Sequence, residues 1–334
     1  MKMLKDMLIK EIREYVYHKN LFKIINLSKS FNVRFLAQGE YNINFILEDE
    51  INKYVFRVNT GSQLSLENQI EYEYSVLKRL ENSKVTPKVY YVDGSREYIK
   101  YGVLIMEFLD GRPLNYEKDL NKAAKIFGKI HSIELNKEDF SSFIIENNIF
   151  SDRIKEANNL LKDFWDSSLI KEDIKKFFYK FINWATENSY KEKYFIDDPI
   201  QVINNTEVNS HNFIIGSKNF YLIDWEKPVI SDPCQDLTQF LAPTTTLWKA
   251  NYILKDCEIN EFFYNYEIIF KGKNIRERVD MYTPYLYLRA LSWCAHAYLE
   301  YQNPDRDIKN MDTYEKIKEY LELDFMSNLL SRWF

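Results

Sequence analysis

The chain has 334 residues, 46% of them hydrophobic, with a net charge of −5 and no basic block, so it can build a large core and is poorly suited to binding nucleic acid. Its three cysteines stand far apart in no metal-ligand spacing, and no apolar run approaches the length that spans a membrane. Because the N-terminus also lacks the apolar core of a signal peptide, the sequence predicts a cytoplasmic protein without membrane insertion.

The first third of the chain predicts a small sheet with few helices. An amphipathic helix opens the chain, with apolar residues at helical spacing from Leu4 to Val16. Alternating and helical patterns then predict, in order, strands over 33–37, 42–47 and 54–58, a helix over 65–80, and strands over 89–92 and 102–108. The segment Asp110-Gly111-Arg112-Pro113 predicts a turn, which divides the chain into lobes 1–109 and 110–334. The second lobe has mostly helical patterns.

A cation and a carboxylate interrupt two apolar patterns in the first lobe. Period-two alternation places Arg57 inside an apolar strand, and Glu73 falls on the apolar stripe of the following helix. A carboxylate on a buried stripe is costly unless it is paired, so we predict an ion pair between the two. The alternatives are an arginine at a sheet edge and a glutamate at the rim of the stripe, both reaching solvent.

In the second lobe, a polar loop and a hairpin interrupt the helical pattern. An apolar strand leads into the loop from Asn204 to Asn212, and a hairpin around Gly216 follows. The second strand of this hairpin ends at Asp224. Amide and carboxylate oxygens are hard ligands of the kind that Mg²⁺ takes, so Asn212 and Asp224 predict a metal site. The alternative for Asp224 is a helix or turn cap.

This loop and hairpin resemble the aminoglycoside phosphotransferase and choline kinase-like family. Its loop reads His-Gly-Asp-x-x-x-x-Asn, and its second strand ends Ile-Asp-Trp/Phe-Glu, as Ile223-Asp224-Trp225-Glu226 does here. The resemblance covers about Phe35 to Trp248. It implies an α+β, two-lobed protein-kinase-like fold, in which a small, mainly antiparallel sheet lobe precedes a larger, mostly helical lobe. It also implies a small-molecule kinase that uses Mg²⁺ with ATP or GTP and phosphorylates a hydroxyl group of an unidentified acceptor.

The resemblance also implies roles for individual residues. Arg57, held by Glu73, would contact the nucleotide phosphates, while Asn212 and Asp224 would hold the metal. The remaining nucleotide-binding candidates are Val55, Glu107 and Leu109, since backbone groups after Glu107 would meet the adenine edge. The single glycine of Gln38-Gly39-Glu40-Tyr41 adds little, because any hairpin turn can contain one. Asp232 and Asp236, which match an Asp-Pro-x-x-Asp-Leu element, are expected to support the loop.

Glu207 departs from the family, which has its catalytic Asp at this position. Its carboxylate stands on a stem one methylene longer, and a displacement of about 1 Å can cost on the order of a hundredfold in rate. Asn205 and Thr206 replace the family's His and Gly as well. The three substitutions are compatible with a rebuilt loop in which Glu207 is the base. They are equally compatible with a nucleotide-binding regulatory or scaffold protein that transfers phosphate slowly or not at all.

The acceptor is left open by the sequence. Aromatic residues crowd the C-terminal helices: Phe262, Phe263, Tyr264, Tyr266, Tyr282, Tyr285, Tyr287, Trp293 and Tyr298. They suit a quaternary ammonium box or a stacking surface, but core packing is the commoner use of such rings. The acids Asp256, Glu258 and Glu261 suit a cationic acceptor or an ordinary solvated surface. Among the histidines, His131 is expected to pack in the core and His211 to lie on the surface.

Overall fold

The structure is a computed structural model and describes residues 2–62, 64–303 and 310–333. The strands are β1 Asn32–Gln38, β2 Asn42–Glu48, β3 Lys53–Asn59, β4 Val89–Asp93, β5 Gly102–Glu107, β6 Arg112–Pro113, β7 Val202–Asn204, β8 Phe213–Ile215, β9 Phe220–Leu222 and β10 Val229–Ser231. The helices are α1 Lys2–His18, α2 Gln69–Leu80, α3 Tyr116–His131, α4 Lys137–Ser142, α5 Ser151–Leu160, α6 Glu172–Asn188, α7 Lys193–Asp197, α8 Cys234–Leu241, α9 Pro243–Lys249, α10 Asp256–Ile269, α11 Ile275–Gln302, α12 Met311–Tyr320 and α13 Leu323–Leu330.

The chain forms two compact units. Unit 1 contains Met1–Leu114, Asn136–Phe143 and His211–Val229, and unit 2 contains Asn115–Leu135, Ile144–Ser210 and Ile230–Phe334. The hairpin that ends at Asp224 therefore belongs to unit 1, although it follows the loop of Glu207 in sequence. The lobe boundary after Leu109 stays a prediction.

Unit 1 is built on an antiparallel sheet with the strand order β1-β2-β3-β5-β4. One face of β3, with Tyr54, Phe56 and Val58, packs in a core with Leu8 and Ile12 of α1. Each fully buried apolar side chain of this kind stabilises the fold by roughly 1.5–3 kcal/mol. Period-two alternation therefore turns Arg57 to the opposite face, as predicted.

Helix α2 begins later than its sequence pattern predicts. The predicted helix started at residue 65, but α2 starts at Gln69. Ser65 has a φ of 55°, in the left-handed region that a right-handed helix cannot contain. The hydroxyl of Ser62 accepts the N–H of Leu66 and donates to the side chain of Gln69, so a side-chain-bonded turn replaces the first helical turn.

A second, three-stranded sheet in unit 1 has the order β6-β8-β9. The hairpin β8–β9 closes through the N–H of Gly216, which donates to the carbonyl of Asn219 over 2.9 Å. A Cβ at Gly111 would lie 2.8 Å from the carbonyl carbon and oxygen of Ile215. Glycine is therefore required where the chain leads into β6 beside β8.

Unit 2 is mostly helical. Its core packs α5, α6 and α8 around α11, with Phe150, Phe178 and Leu288 among its fully buried side chains. Most of the aromatic residues of α10 and α11 are buried, which confirms core packing as their main use, while Tyr264 and Trp293 are exposed. The α+β class is confirmed by the antiparallel sheet of unit 1 and the helices of unit 2. No described helix combines the length and apolarity needed to cross a bilayer.

Candidate functional site

Arg57 is the centre of a charged cluster in unit 1. Its Nη1 donates to Glu73 Oε1 over 2.5 Å, its Nε donates to Asn44 Oδ1 over 3.0 Å, and its Nη2 lies 3.6 Å from Asp224 Oδ1. Glu73 is 1% exposed. The alternative of an edge arginine is wrong because β3 has β2 and β5 on its two sides. The alternative of a rim glutamate is wrong because Glu73 is buried.

The charges in this cluster depend on one another. Burial opposes the charged form of Arg57, but the carboxylates of Glu73, Asp224 and Glu226 outweigh it and raise the pKa of the guanidinium. Burial raises the pKa of the Glu73 carboxyl, and Arg57 opposes that rise. Glu73 Oε2 has no hydrogen-bond partner among the described residues, so the stability of the buried carboxylate depends on Arg57.

Asp224 is presented by the backbone at the end of β9. It has a φ of 64°, in the left-handed region, where Asp is better tolerated than most residues. The N–H of the preceding Ile223 donates to the carbonyl of Asn212 over 2.8 Å. The hairpin therefore brings Asn212 beside Asp224, and the side chains of both are partly exposed.

A buried polar network next to Asp224 was missed by the sequence analysis. Glu226 accepts a hydrogen bond from the side chain of Asn42, and its carbonyl accepts the amide of Gln69 over 2.7 Å. The amide of Asn59 donates to Asn42 Oδ1 over 2.9 Å. Burial, together with the nearby charge of Asp224, raises the pKa of Glu226 to about 7. Asn42 and Asn59 pair directly across β2 and β3, so polar residues in two apolar strands were the available signal.

The other nucleotide-binding candidates lie on β3 and at the end of β5. Val55 pairs with Met106, and Glu107 is the last residue of β5. The N–H of Glu107 donates to the carbonyl of Lys88, so this group is already used inside the sheet. Leu109 follows β5 and is partly exposed. Their role in base binding stays a prediction.

In unit 2, Asp236 of α8 holds the loop that carries Glu207. Its two carboxylate oxygens accept the N–H groups of Asn205 and Thr206 over 2.7 and 2.8 Å. The N–H of Glu207 donates to Asn205 Oδ1 over 3.0 Å. Asp232 accepts the N–H of Cys234 and pairs with the buried Arg278 over 2.6 Å. The expected supporting role of Asp236 is confirmed, and Asp232 supports the start of α8.

Thr206 occupies a strained backbone conformation within this loop. Its φ is 65°, in the left-handed region that disfavours β-branched residues. Glycine adopts this region at no steric cost. The side chain of Glu207 follows immediately and is partly exposed.

His131 packs in the core, as expected, and also contributes a hydrogen bond. It is 2% exposed, its Nδ1 lies 2.8 Å from the hydroxyl of Tyr266, and its Nε2 lies 3.9 Å from Asp236 Oδ2. His211 is exposed, as expected. Glu258, one of the acids considered for an acceptor, accepts the N–H of Lys255 at the start of α10 and therefore caps that helix.

The donor set beside Asp224 fits a metal that arrives with a nucleotide. In the part of the chain that the structure describes, no three His, Cys, Asp or Glu side chains are grouped to hold an ion. Mg²⁺ in nucleotide sites takes one or two protein groups and completes its shell with phosphate oxygens and water. Asn212 and Asp224 offer one amide oxygen and one carboxylate, and the Nη2 of Arg57 lies 3.6 Å from Asp224 Oδ1.

A protein-family model described as the phosphotransferase enzyme family matches residues 32–254, which is more than half of the chain. No curated protein matches the chain significantly.

Solved structures with the same fold cover nearly the whole chain. A putative aminoglycoside phosphotransferase from Ralstonia eutropha has a TM-score of 0.71 at 14% identity, covering 97% of this chain and 98% of its own. Spectinomycin phosphotransferase in complex with ADP and spectinomycin has a TM-score of 0.66 at 14% identity, covering 94% and 96%. Choline kinase from Cryptosporidium parvum has a TM-score of 0.63 at 16% identity, covering 96% and 97%. The predicted kinase-like fold is therefore confirmed.

Proposed function

The chain belongs to the phosphotransferase enzyme family, and we propose that it transfers the γ-phosphoryl group of ATP or GTP to a hydroxyl of a small molecule in the cytoplasm. The observation that carries this proposal is Arg57, buried within one sheet and paired with both Glu73 and Asp224. A buried cation that faces a carboxylate next to a metal-type amide ligand is the arrangement needed to bind a metal-bound triphosphate.

We assign the binding of the triphosphate to unit 1. Arg57 contacts the phosphate oxygens, and Glu73 fixes the position of its guanidinium. Asn212 and Asp224 would hold the metal, while Val55, Glu107 and Leu109 would contribute to the base site. The charge-neutralising chemistry at the β- and γ-phosphates would be supplied by a bound Mg²⁺.

The chemical step assigned to Glu207 is proton removal. The acceptor hydroxyl oxygen forms a bond to the γ-phosphorus as the bond from that phosphorus to the bridging oxygen breaks, and the nucleoside diphosphate leaves. The hydroxyl proton passes to the Glu207 carboxylate. Asp236 accepts hydrogen bonds from the backbone N–H groups of Asn205 and Thr206, the two residues before Glu207. These bonds fix the position of the backbone from which the longer glutamate side chain extends.

The acceptor class is proposed from solved structures with the same fold and not from a contact in this chain. Spectinomycin and choline are the small molecules associated with two of the structures described above. Both carry hydroxyl groups close to a cationic nitrogen, so we propose an amino alcohol, a quaternary-ammonium alcohol or an aminocyclitol as the acceptor.

A second function, nucleotide binding with slow or absent transfer, is favoured by the loop itself. Thr206 has a positive φ where glycine is the unstrained choice, and Glu207 replaces the shorter aspartate. Such a protein would bind nucleotide in a regulatory or scaffold role.

The first test is thermal unfolding with ATP or GTP, with and without Mg²⁺. A ligand that binds the folded state raises the unfolding midpoint. We expect a magnesium-dependent rise in the wild type that is lost in Asp224→Ala and kept in Glu172→Gln, a substitution at an exposed carboxylate of α6. No rise with either nucleotide would refute both functions.

The second test separates transfer from binding. Phosphate transfer to choline, ethanolamine and spectinomycin is followed by ³¹P NMR in the wild type, Glu207→Gln and the triple variant Asn205→His/Thr206→Gly/Glu207→Asp. If Glu207 is the base, Glu207→Gln loses transfer by about a hundredfold or more at unchanged nucleotide affinity, and the triple variant gains nothing. If only the triple variant transfers phosphate, the second function is correct.

A further inference from the structure

His131, at the C-terminal end of α3, is held in one orientation inside unit 2. Its side chain is fully buried. Three aromatic rings surround the imidazole, with centres 5.7 Å away for Tyr266, 5.8 Å for Phe127 and 6.0 Å for Phe270. Close packing on several sides leaves a ring little freedom to rotate. The positions of its two nitrogens are therefore set by the core.

The two nitrogens of His131 have different surroundings. Nδ1 lies 2.8 Å from the hydroxyl of Tyr266. Nε2 has no hydrogen-bond partner among the described residues and lies 3.9 Å from Oδ2 of the fully buried Asp236. This distance is too long for a direct hydrogen bond, but a ring nitrogen and a carboxylate interact strongly across it in a buried site. A buried polar nitrogen without a bond is costly, so its place beside a carboxylate calls for an explanation.

The hydroxyl of Tyr266 determines which nitrogen carries the proton. Burial raises the pKa of this hydroxyl, and the charges of Asp232 and Asp236 raise it further, so it stays protonated. Among the residues that the structure describes, Nδ1 of His131 is the one partner shown for the hydroxyl. The hydroxyl therefore donates to Nδ1, and the proton of the neutral imidazole is on Nε2.

The opposite tautomer is disfavoured at both nitrogens. A proton on Nδ1 would leave the hydroxyl proton of Tyr266 without its acceptor. It would also place the lone pair of Nε2 beside the carboxylate of Asp236. A lone pair beside an anion is repulsive in a buried site, whereas an N–H group beside it is attractive. Both neighbours of the ring therefore select the same form.

Asp236 connects His131 to the loop of Glu207. The Oδ2 atom near Nε2 accepts the N–H of Asn205 over 2.7 Å, and Oδ1 accepts the N–H of Thr206 over 2.8 Å. An N–H group beside Oδ2 stabilises the negative charge there and opposes rotation of the carboxylate away from the loop.

We propose that His131 is a positioning residue for the loop of Glu207: its Nε2–H group, selected by Tyr266, holds the carboxylate of Asp236 in the orientation that fixes the loop. The effect on the loop is independent of the reaction. The effect on turnover rests on the proposed function, because the position of Glu207 matters for catalysis only if the protein transfers phosphate.

The position of the proton is measured in the wild type by ¹⁵N NMR of protein labelled at histidine. The signal of His131 is assigned by its loss in His131→Gln. We expect a proton on Nε2 and none on Nδ1, and we expect this single tautomer to become a mixture in Tyr266→Phe. A wild type without a proton on Nε2 would overturn the proposal.

Two amide variants separate the roles of the two nitrogens. The side chain of Gln reaches the place of Nε2 and can donate there, whereas that of Asn reaches only the place of Nδ1. Exchange at the amides of Asn205 and Thr206, measured relative to the amides of α6, is expected to rise about tenfold in His131→Asn, as for the loss of one hydrogen bond. It is expected to stay near the wild-type rate in His131→Gln. Equal exchange rates in the two variants would overturn the proposal, because packing alone would then explain the effect.

A matched pair of tyrosine variants tests the hydroxyl. Tyr266→Phe is expected to raise exchange at the same two loop amides. Tyr285→Phe is the control, because it removes another buried hydroxyl of unit 2, which donates to the carbonyl of Ala185 over 3.0 Å, and it is expected to leave the loop amides unchanged. Equal effects of the two variants would contradict a specific role of Tyr266.

Turnover gives a separate readout. In a wild type that transfers phosphate, kcat is expected to fall about tenfold in His131→Asn and to recover in His131→Gln, at an unchanged KM for the nucleotide. A wild type without transfer would refute the proposed function, and the loop amides would still decide the role of His131. Phosphate transfer together with unchanged loop exchange in His131→Asn would refute that role alone.

Discussion

Replacing Glu73 by Gln tests whether the buried ion pair governs the stability of the five-stranded sheet of unit 1. The substitution keeps the shape of the side chain and removes its charge. It leaves Arg57 buried with Asp224 3.6 Å away and the carboxylate of Glu226 also nearby. The exposed fraction of the two paired side chains is 9% for Arg57 and 1% for Glu73.

The magnitude follows from this geometry. Removing one partner of a buried pair costs about 3–5 kcal/mol because a charge is left uncompensated. Asp224 retains part of the compensation, and the new amide oxygen still accepts from Arg57, so we expect the lower end, about 3 kcal/mol. Each 1.4 kcal/mol is a factor of ten, so this corresponds to roughly a hundredfold change in the opening equilibrium.

Hydrogen exchange of the amides in β3 and α2 measures this opening directly. The exchange rates are expected to rise by about a hundredfold in Glu73→Gln and by much less in the double variant Arg57→Met/Glu73→Met, which removes both charges. The matched control is Glu48→Gln, which breaks the exposed pair between Glu48 and Arg34 and is expected to cost at most about 1 kcal/mol. Equal effects of Glu73→Gln and Glu48→Gln would refute the assignment of Arg57 and Glu73 as a buried pair.

Three further predictions concern unit 2 and the pH dependence of stability. Asp236→Asn replaces one of the two carboxylate oxygens that accept loop N–H groups by an NH₂ donor, and is expected to destabilise the protein by about 2 kcal/mol. The thermal unfolding midpoint should fall by several degrees. An unchanged midpoint would contradict the role of Asp236 in holding the loop. In urea unfolding, the free energy of unfolding of Thr206→Gly is expected to exceed that of Thr206→Ala by about 1 kcal/mol. Both variants lose the threonine hydroxyl and methyl groups, but only glycine relieves the strain of the left-handed backbone. The opposite order would contradict that strain. Asp93 has a pKa held below its ordinary value, since its bonds to Tyr15 and Ser95 outweigh burial. Its contribution to stability is therefore present above the unfolded pKa of about 4 and is lost as the pH falls below it, so wild type should lose more stability than Asp93→Asn between about pH 4 and pH 2.

The parts of the site that the sequence predicted correctly depend on local periodicity. The side-chain period of two placed Arg57 opposite the core face of β3, and the helical period placed Glu73 on the buried stripe of α2. Each deduction used a single element, and the cost of an unpaired buried charge then linked the two. The proximity of Asn212 and Asp224 was also predicted from local sequence, because a short hairpin fixes the distance between its two ends.

The parts that were missed depend on distant contacts or on exceptional backbone conformations. Asn42 meets Glu226 across 184 positions of sequence, and no local pattern encodes that bond. Helix α2 lost its predicted first turn to Ser62, whose hydroxyl competed for a backbone N–H. The positive φ of Thr206 is also hidden from sequence, since threonine does not indicate a left-handed turn in the way that glycine does.

The conformation of Thr206 shows which interactions control the loop of Glu207. A left-handed L-residue costs roughly 1–2 kcal/mol. The two bonds from the amides of Asn205 and Thr206 to Asp236 are charge-assisted, at about 1.5–3 kcal/mol each, and the bond from Glu207 to Asn205 adds about 1 kcal/mol. The three hydrogen bonds together therefore outweigh the strain. In the two bonds to Asp236, the loop contributes only backbone N–H groups, which any residue except proline supplies. The third uses the side chain of Asn205 as its acceptor, so Asn205→Ala should mobilise Glu207 while the bonds to Asp236 remain. Amide exchange that rises at Glu207 and stays constant at Thr206 would support this division of roles, and a joint rise at both would refute it.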